Sequence, residues 1–263
     1  MYAKNGGESM NKKFEHLGVK PADILLPKAG TDMSKWAVVA CDQFTSQPEY
    51  WEEVDRIAGD APSTLRLILP ESKLGDADVE NHIADINRSM AGYLARDIFQ
   101  TYQDSIIYIE RTQSDGAVRP GLVAAVDLEK YDYTPGSGSL IRATEGTVLE
   151  RIPPRVRVRK DAPIELPHVM LLIDDPKKTC VEPITAAKDT MEKVYDFDLM
   201  MKGGHLTGWK LSGAQMDALA DALEHMASDE AMQQKYGLTG VAPLLFAVGD
   251  GNHSLATAKT CYE

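Results

Sequence analysis

The chain has 263 residues, 43% of them apolar, and a formal net charge of −12. That length builds one large domain or two of ordinary size, and the acidic balance argues against a nucleic-acid surface, which needs a basic face. The three cysteines, Cys41, Cys180 and Cys261, form no Cys-x-x-Cys pair, which disfavours a disulfide scaffold or a structural zinc site.

No run of about 18 apolar residues occurs, so no membrane span is expected, and the composition fits a cytoplasmic protein with a small-molecule substrate. Residues 1–14 lack an apolar core and read as a disordered tail, with Met10 an alternative start. Val19–Leu26 and Trp36–Ala40 read as extended segments. Pro48 suits the first position of a helix, which then runs to Ala58 and stops at Gly59. Leu65–Leu69 is a predicted strand closed by Pro70. From Asp78 to about Gln100 the apolar residues Val79, Ile83, Ile86, Met90, Leu94 and Ile98 recur at three- and four-residue spacing, which predicts one long amphipathic helix. Ser105–Ile109 and Gly121–Val126, joined through Ser114-Asp115-Gly116, predict an antiparallel hairpin.

Further on, Pro167–Asp174 is a predicted strand and Pro183–Tyr195 a predicted helix. An extended pair around 198–201 and 206–210 turns at Gly203-Gly204. Ser212-Gly-Ala-Gln215 is a capping-box pattern that opens a helix ending near Gly237. Pro243–Val248 reads as a buried strand, and a helix begins near Ser254. No Gly, Asn or Pro closes that helix, so residues 15–263 read as a single mixed α/β domain, the N-terminal part of a longer protein, with a weak split near 160. The fold class is α/β, a mixed sheet with packed helices and at least one antiparallel hairpin.

Two stretches invite a functional reading. Between Arg142 and Lys160 six cations (Arg142, Arg151, Arg155, Arg157, Arg159 and Lys160) stand against Glu145 and Glu150. The alternation in Arg155–Arg159 predicts a strand with three guanidiniums on one face. It is either a solvated face paired with local acids or an anion-binding wall, since Arg grips phosphate in bidentate fashion. The second stretch is Gly249-Asp250-Gly251-Asn252-His253-Ser254, a two-glycine turn between a strand and a helix. Free N–H groups at such a turn seat an anion, most often a phosphate. Gly-Asn-His resembles a metallophosphatase motif, but the upstream Asp-x-His of that family is absent. Asp42, just past a buried segment, and Asp250 are candidates to hold Mg²⁺.

Val38–Trp51, Arg142-Ala-Thr-Glu-Gly-Thr147 and Gly249–Ser254, in that order, resemble the prokaryotic family known as domain of unknown function 1015, from about residue 15 to the end. Many members of that family read Asp-Gly-His-His-Arg at the turn. That pattern is similar to the phosphate-binding box of ParB, sulfiredoxin and a free-serine kinase. The resemblance implies nucleotide phosphates on Gly249, Gly251, Asn252 and Ser254, with His253 as first contact and Ser254 standing where the box has Arg. Arg142, Arg155 and Arg157 would replace the missing charge. It implies Glu145 as general base beside His253 and Asp250, and ATP or ADP with Mg²⁺ as cofactor. Two functions follow as expectations: a small-molecule kinase or phosphotransferase, or a non-catalytic sensor of a nucleotide or anionic metabolite.

Overall fold

A computed structural model describes residues 12–166 and 168–263. In chain order, Val19–Lys20 (β1) and Ala22–Pro27 (β2) precede a single helical turn, Met33–Trp36 (α1), and the helix Pro48–Ala58 (α2). Val79–Ala95 (α3) leads to Phe99–Ser105 (β3), Ile107–Thr112 (β4), Val118–Val123 (β5) and Ala125–Val126 (β6). Tyr131–Asp132 (β7) and Ile141–Ala143 (β8) come before Ile152–Arg159 (α4), Met170–Leu172 (β9) and Val181–Ala187 (α5). The remainder is Glu192–Asp198 (β10), His205–Lys210 (β11), Gly213–Met226 (α6), Asp229–Tyr236 (α7), Phe246–Asp250 (β12) and Asn252–Tyr262 (α8).

The strands form an antiparallel sheet in the order β10-β11-β4-β5 and a mixed sheet in the order β7-β8-β12-β9. In the mixed sheet β12 runs parallel to β8 and antiparallel to β9. Two smaller antiparallel pairs, β1–β6 and β2–β3, complete the set. The α/β class and the antiparallel hairpin, β4–β5, are therefore present as expected.

Two apolar clusters hold these layers. One joins Tyr108, Tyr131, Ile141, Val248 and Leu255 with the buried face of α6. The other packs Trp36 and Phe99 on α3, with Val158 at the end of α4 lying against it. On α3 the buried residues Val79, Ile83, Ile86, Met90 and Tyr93 keep the helical spacing that predicted the element. Pro48 starts α2 and Gly59 ends it, and the Ser212–Gln215 capping box opens α6.

Several expectations fail for local reasons. Trp36–Ala40 is not a strand: the Asp32 side chain accepts the Ser34 N–H (3.1 Å) and caps a helical turn that drives Trp36 between Tyr93 and Phe99. Leu65–Leu69 is not a strand either, because Ser63 caps a 3₁₀ turn over Thr64–Leu67. The long helix stops at Ala95, and Phe99 begins a strand that pairs with β2. Arg155–Arg159 is helical. Pro153 and Pro154 sit at the helix start, where a missing N–H costs nothing, and Arg157 and Arg159 favour the negative end of the helix dipole. The helix expected over 183–195 ends at Ala187, and Val194, Tyr195 and Phe197 join β10. Ser228 breaks the last long helix by capping α7 anew. Lys12–Phe14 form a 3₁₀ turn with Phe14 buried, so the expected tail does not extend that far; residues 1–11 lie outside the described residues. Among the described residues no helix is long and apolar enough to cross a membrane.

On the β10–β11 hairpin His205 bridges two carboxylates, with Nδ1 2.7 Å from Asp198 Oδ1 and Nε2 2.6 Å from Asp196 Oδ1. The hydrogen bond to Asp198, then that to Asp196, raises the His205 pKa above its ordinary 6.5. Lys193 and then His205 lower that of Asp196 below 3.8. The His205 contribution is fully present below about pH 6.5 and fades as pH rises through the higher folded value; that of Asp196 is present above about pH 4 and fades in acid. Urea unfolding of wild type and His205→Gln at pH 5.5 and 8.5 should show an advantage for wild type, about 0.5 kcal/mol, at pH 5.5 alone.

Candidate functional site

β12 carries the chain from buried Phe246 and Val248 to Asp250, and α8 starts two residues later. Gly251 between them has φ 78°, in the left-handed region where a side chain is strained. Space demands the glycines as well. A Cβ on Gly249 would lie 2.6 Å from Leu172 Cγ, and one on Gly251 would lie 3.0 Å from His168 O. The close approach of β9 to Gly249, and of the segment leading into it to Gly251, thus explains both glycines without a ligand. Gly251 also leaves α8 with no side-chain cap on its first N–H groups.

The side chains of the turn are held by the protein. Asn252, buried, accepts the Thr144 N–H at Oδ1 (3.3 Å), and the Thr144 hydroxyl donates to Val248 O (2.6 Å). His253 Nε2 accepts the Val148 N–H (3.1 Å). Nε2 is therefore the unprotonated nitrogen, and Nδ1 carries the proton of the neutral ring. Ser254 Oγ lies 2.5 Å from His168 Nε2, and Ser254 O accepts from Arg159 Nη1 (3.2 Å). Asp250 Oδ1 accepts the Gly251 N–H (2.7 Å). The helix begins at Asn252 rather than Ser254, so Ser254 lies within its first turn.

Burial, then the positive charges of Arg151 and Arg155, push His253 below its ordinary pKa, while Glu145 and Glu71 oppose them. His253 is consequently neutral at pH 7, a hydrogen-bond donor at Nδ1 rather than a cation. Arg155 donates to Glu71 Oε1 from Nε (2.8 Å) and Nη2 (2.5 Å), and from Nη1 to Arg151 O (2.7 Å). The Glu71 N–H donates to Cys41 O (2.8 Å), which brings the Val38–Trp51 stretch to the same place. Burial, then Asp42 and Glu71, push the Cys41 thiol up to about 12, so it is protonated and no nucleophile at neutral pH.

Of the residues singled out from sequence, Glu145, Arg155 and the turn itself share this neighbourhood. Arg142 spends its guanidinium on the carbonyls of Ser139 (2.7 Å), Ala242 (2.9 Å) and Pro243 (3.1 Å), tying two loops together. Arg157 donates to Glu80 (3.0 Å), a contact with α3 rather than with the turn. Asp42 Oδ1 accepts from Gln43 (3.2 Å). Among the described residues no group of three potential metal ligands includes Asp42 or Asp250; Asp76, Asp78 and His82 form such a group at the start of α3. Sequence reasoning missed Glu71, Thr144 and His168 as neighbours of the turn and marked Arg151 only as one of six cations. Thr144 lies inside a stretch already marked, but nothing near Glu71 advertises its part.

The architecture and the site define a mixed α/β protein in which three separated stretches meet at one strand–turn–helix. A family model described as "Protein of unknown function (DUF1015)" matches residues 25–263, and the chain belongs to that family. No curated protein and no solved structure matches the chain significantly.

Two outcomes test this geometry. Gly249→Ala should cost about 1–3 kcal/mol in urea unfolding, toward the low end because Leu172 is half-exposed and can yield. In Arg151→Gln the His253 pKa, followed by imidazole NMR, should rise toward 6.5, because a cation that opposes protonation has been removed.

Proposed function

We propose that the chain binds a phosphate-bearing small molecule, a nucleotide, at the start of α8 and acts on it as a small-molecule kinase or phosphotransferase. The observation that carries this reading is the uncapped first turn of α8 lying in the field of Arg151 and Arg155. An oxyanion there gains from the helix dipole and from charge that the otherwise acidic chain concentrates locally. His253 Nδ1–H donates to a phosphate oxygen, and Asn252 and Ser254 contribute backbone N–H groups, since their side chains are committed. Glu145, exposed and close enough for its charge to act on His253, takes the proton of the acceptor hydroxyl. Asp250 keeps a second carboxylate oxygen beyond the one bonded to Gly251, and with Asp42 it would hold Mg²⁺, which neutralises phosphate charge when bound.

The second reading, a non-catalytic sensor of the same ligands, draws on the turn's own bonding. Asn252, His253 and Ser254 each have a protein partner, as in a rigid binding seat. Thermal unfolding with ADP or ATP, with and without Mg²⁺, tests both. A nucleotide at 100 times its Kd should add about 2.7 kcal/mol of stability, and Arg151→Gln should reduce that gain. Stabilisation by ATP accompanied by phosphate release or transfer in ³¹P NMR supports the enzyme. Stabilisation without turnover favours the sensor, and no stabilisation by any nucleotide overturns both.

A further inference from the structure

Away from the α8 turn, three side chains with metal-binding atoms meet where the chain enters α3: Asp76, Asp78 and His82. Each offers one such atom, and the three atoms lie within 4.8 Å of one another. Their meeting has a local origin. Asp78 is the residue before α3 and His82 stands four positions on, so one helical turn stacks the two on the same face. Asp76 is brought up by the turn in which its carbonyl accepts the Val79 N–H (3.3 Å).

One nitrogen of His82, Nε2, faces both carboxylates, 3.4 Å from Asp78 Oδ1 and 3.9 Å from Asp76 Oδ2. Both separations exceed the roughly 2.7–3.2 Å of a nitrogen–oxygen hydrogen bond. They come close to the roughly 3.3 Å between two ligands of one tetrahedral ion with bonds of about 2.0–2.1 Å. The carboxylates are otherwise uncommitted. Asp78 occupies the N-cap position, where an aspartate ordinarily accepts a backbone N–H, yet its side chain makes no capping bond. Among the described residues neither aspartate has a lysine or arginine within ion-pair distance. Two negative charges thus stand together, faced only by an imidazole that is charged when protonated. The side chains of Asp76, Asp78 and His82 are 44%, 60% and 31% exposed, so an ion reaches them from solvent.

We propose that Asp76, Asp78 and His82 bind a divalent transition-metal ion, Zn²⁺, with water completing its coordination. An imidazole among the donors favours zinc over Mg²⁺ and Ca²⁺, which prefer oxygen ligands. The two carboxylates balance the charge of the ion. Bound there, it fastens the 71–78 segment, which begins with the partner of Arg155, to the first turn of α3. The site shares no residue with the α8 turn, so the proposal does not rest on the phosphate reading.

The test is a titration of the ¹⁵N-labelled full chain, stripped with a chelator, with zinc chloride and separately with magnesium chloride. The imidazole nitrogen resonances report binding, and those of His82 are assigned by their loss in His82→Gln. Zn²⁺ should move the His82 Nε2 resonance saturably at micromolar concentration, and millimolar Mg²⁺ should leave it in place. Asp76→Asn and Asp78→Asn, both at exposed positions, should each weaken zinc at His82 at least about ten-fold. His205, which has its own pair of carboxylates, reports any zinc bound elsewhere and should respond alike in wild type and both variants. No saturable movement of His82 at millimolar Zn²⁺ overturns the proposal. So does an equal response to Mg²⁺, or either aspartate variant binding zinc at His82 as wild type does.

Discussion

The guanidinium of Arg155, held on Glu71 with side chains 17% and 21% exposed, connects parts of the chain that no strand pairing joins. Glu71 is fastened through its own N–H to Cys41, in the segment before α2, while Arg155 rides on α4, which packs along α8. With the Arg157–Glu80 contact and the packing of Val158, this ion pair fixes the N-terminal apolar cluster relative to the helix that carries His253. Its worth lies in position more than in net stability. Desolvation offsets much of the attraction in a largely buried pair, yet removing one partner strands the other charge.

The same pair sets the electrostatic character of the site. Arg151 and Arg155 would by themselves make the first turn of α8 strongly positive, and Glu71 and Glu145 temper that field. Burial and the two arginines nevertheless keep His253 neutral against the pull of these glutamates, and the backbone of Val148 fixes which nitrogen bears its proton. A phosphate meeting this turn would find aligned donors and moderate charge rather than a dense cationic patch.

The parts of the fold that sequence disclosed were those written in local periodicity or local caps: the face of α3, Pro48 and Gly59 around α2, the Ser212 box of α6 and the β4–β5 hairpin. Where reading failed, a short pattern competed with a capping or pairing partner out of view. Five alternating residues at Arg155–Arg159 look like a strand until Pro153 and Pro154 are counted as a helix start. Glu192 to Tyr195 look helical until the pairing with β11 is seen. The location of the turn was legible because its glycines and flanking apolar run are contiguous. Its neighbours were not, since Glu71 and His168 reach it only through tertiary packing.

The mixed sheet has a consequence for how the chain closes on itself. The β4–β5 and β10–β11 hairpins join segments close in sequence and close small loops. β12 instead inserts between β8 and β9, and the contact from Val148 to His253 spans 105 residues. Closing a loop of that size costs chain entropy that only the finished sheet repays, and parallel pairing of this kind is slow. The strand–turn–helix therefore depends on contacts of far greater sequence separation than either hairpin does, and its loop-closure cost is met only when the whole mixed sheet is in place.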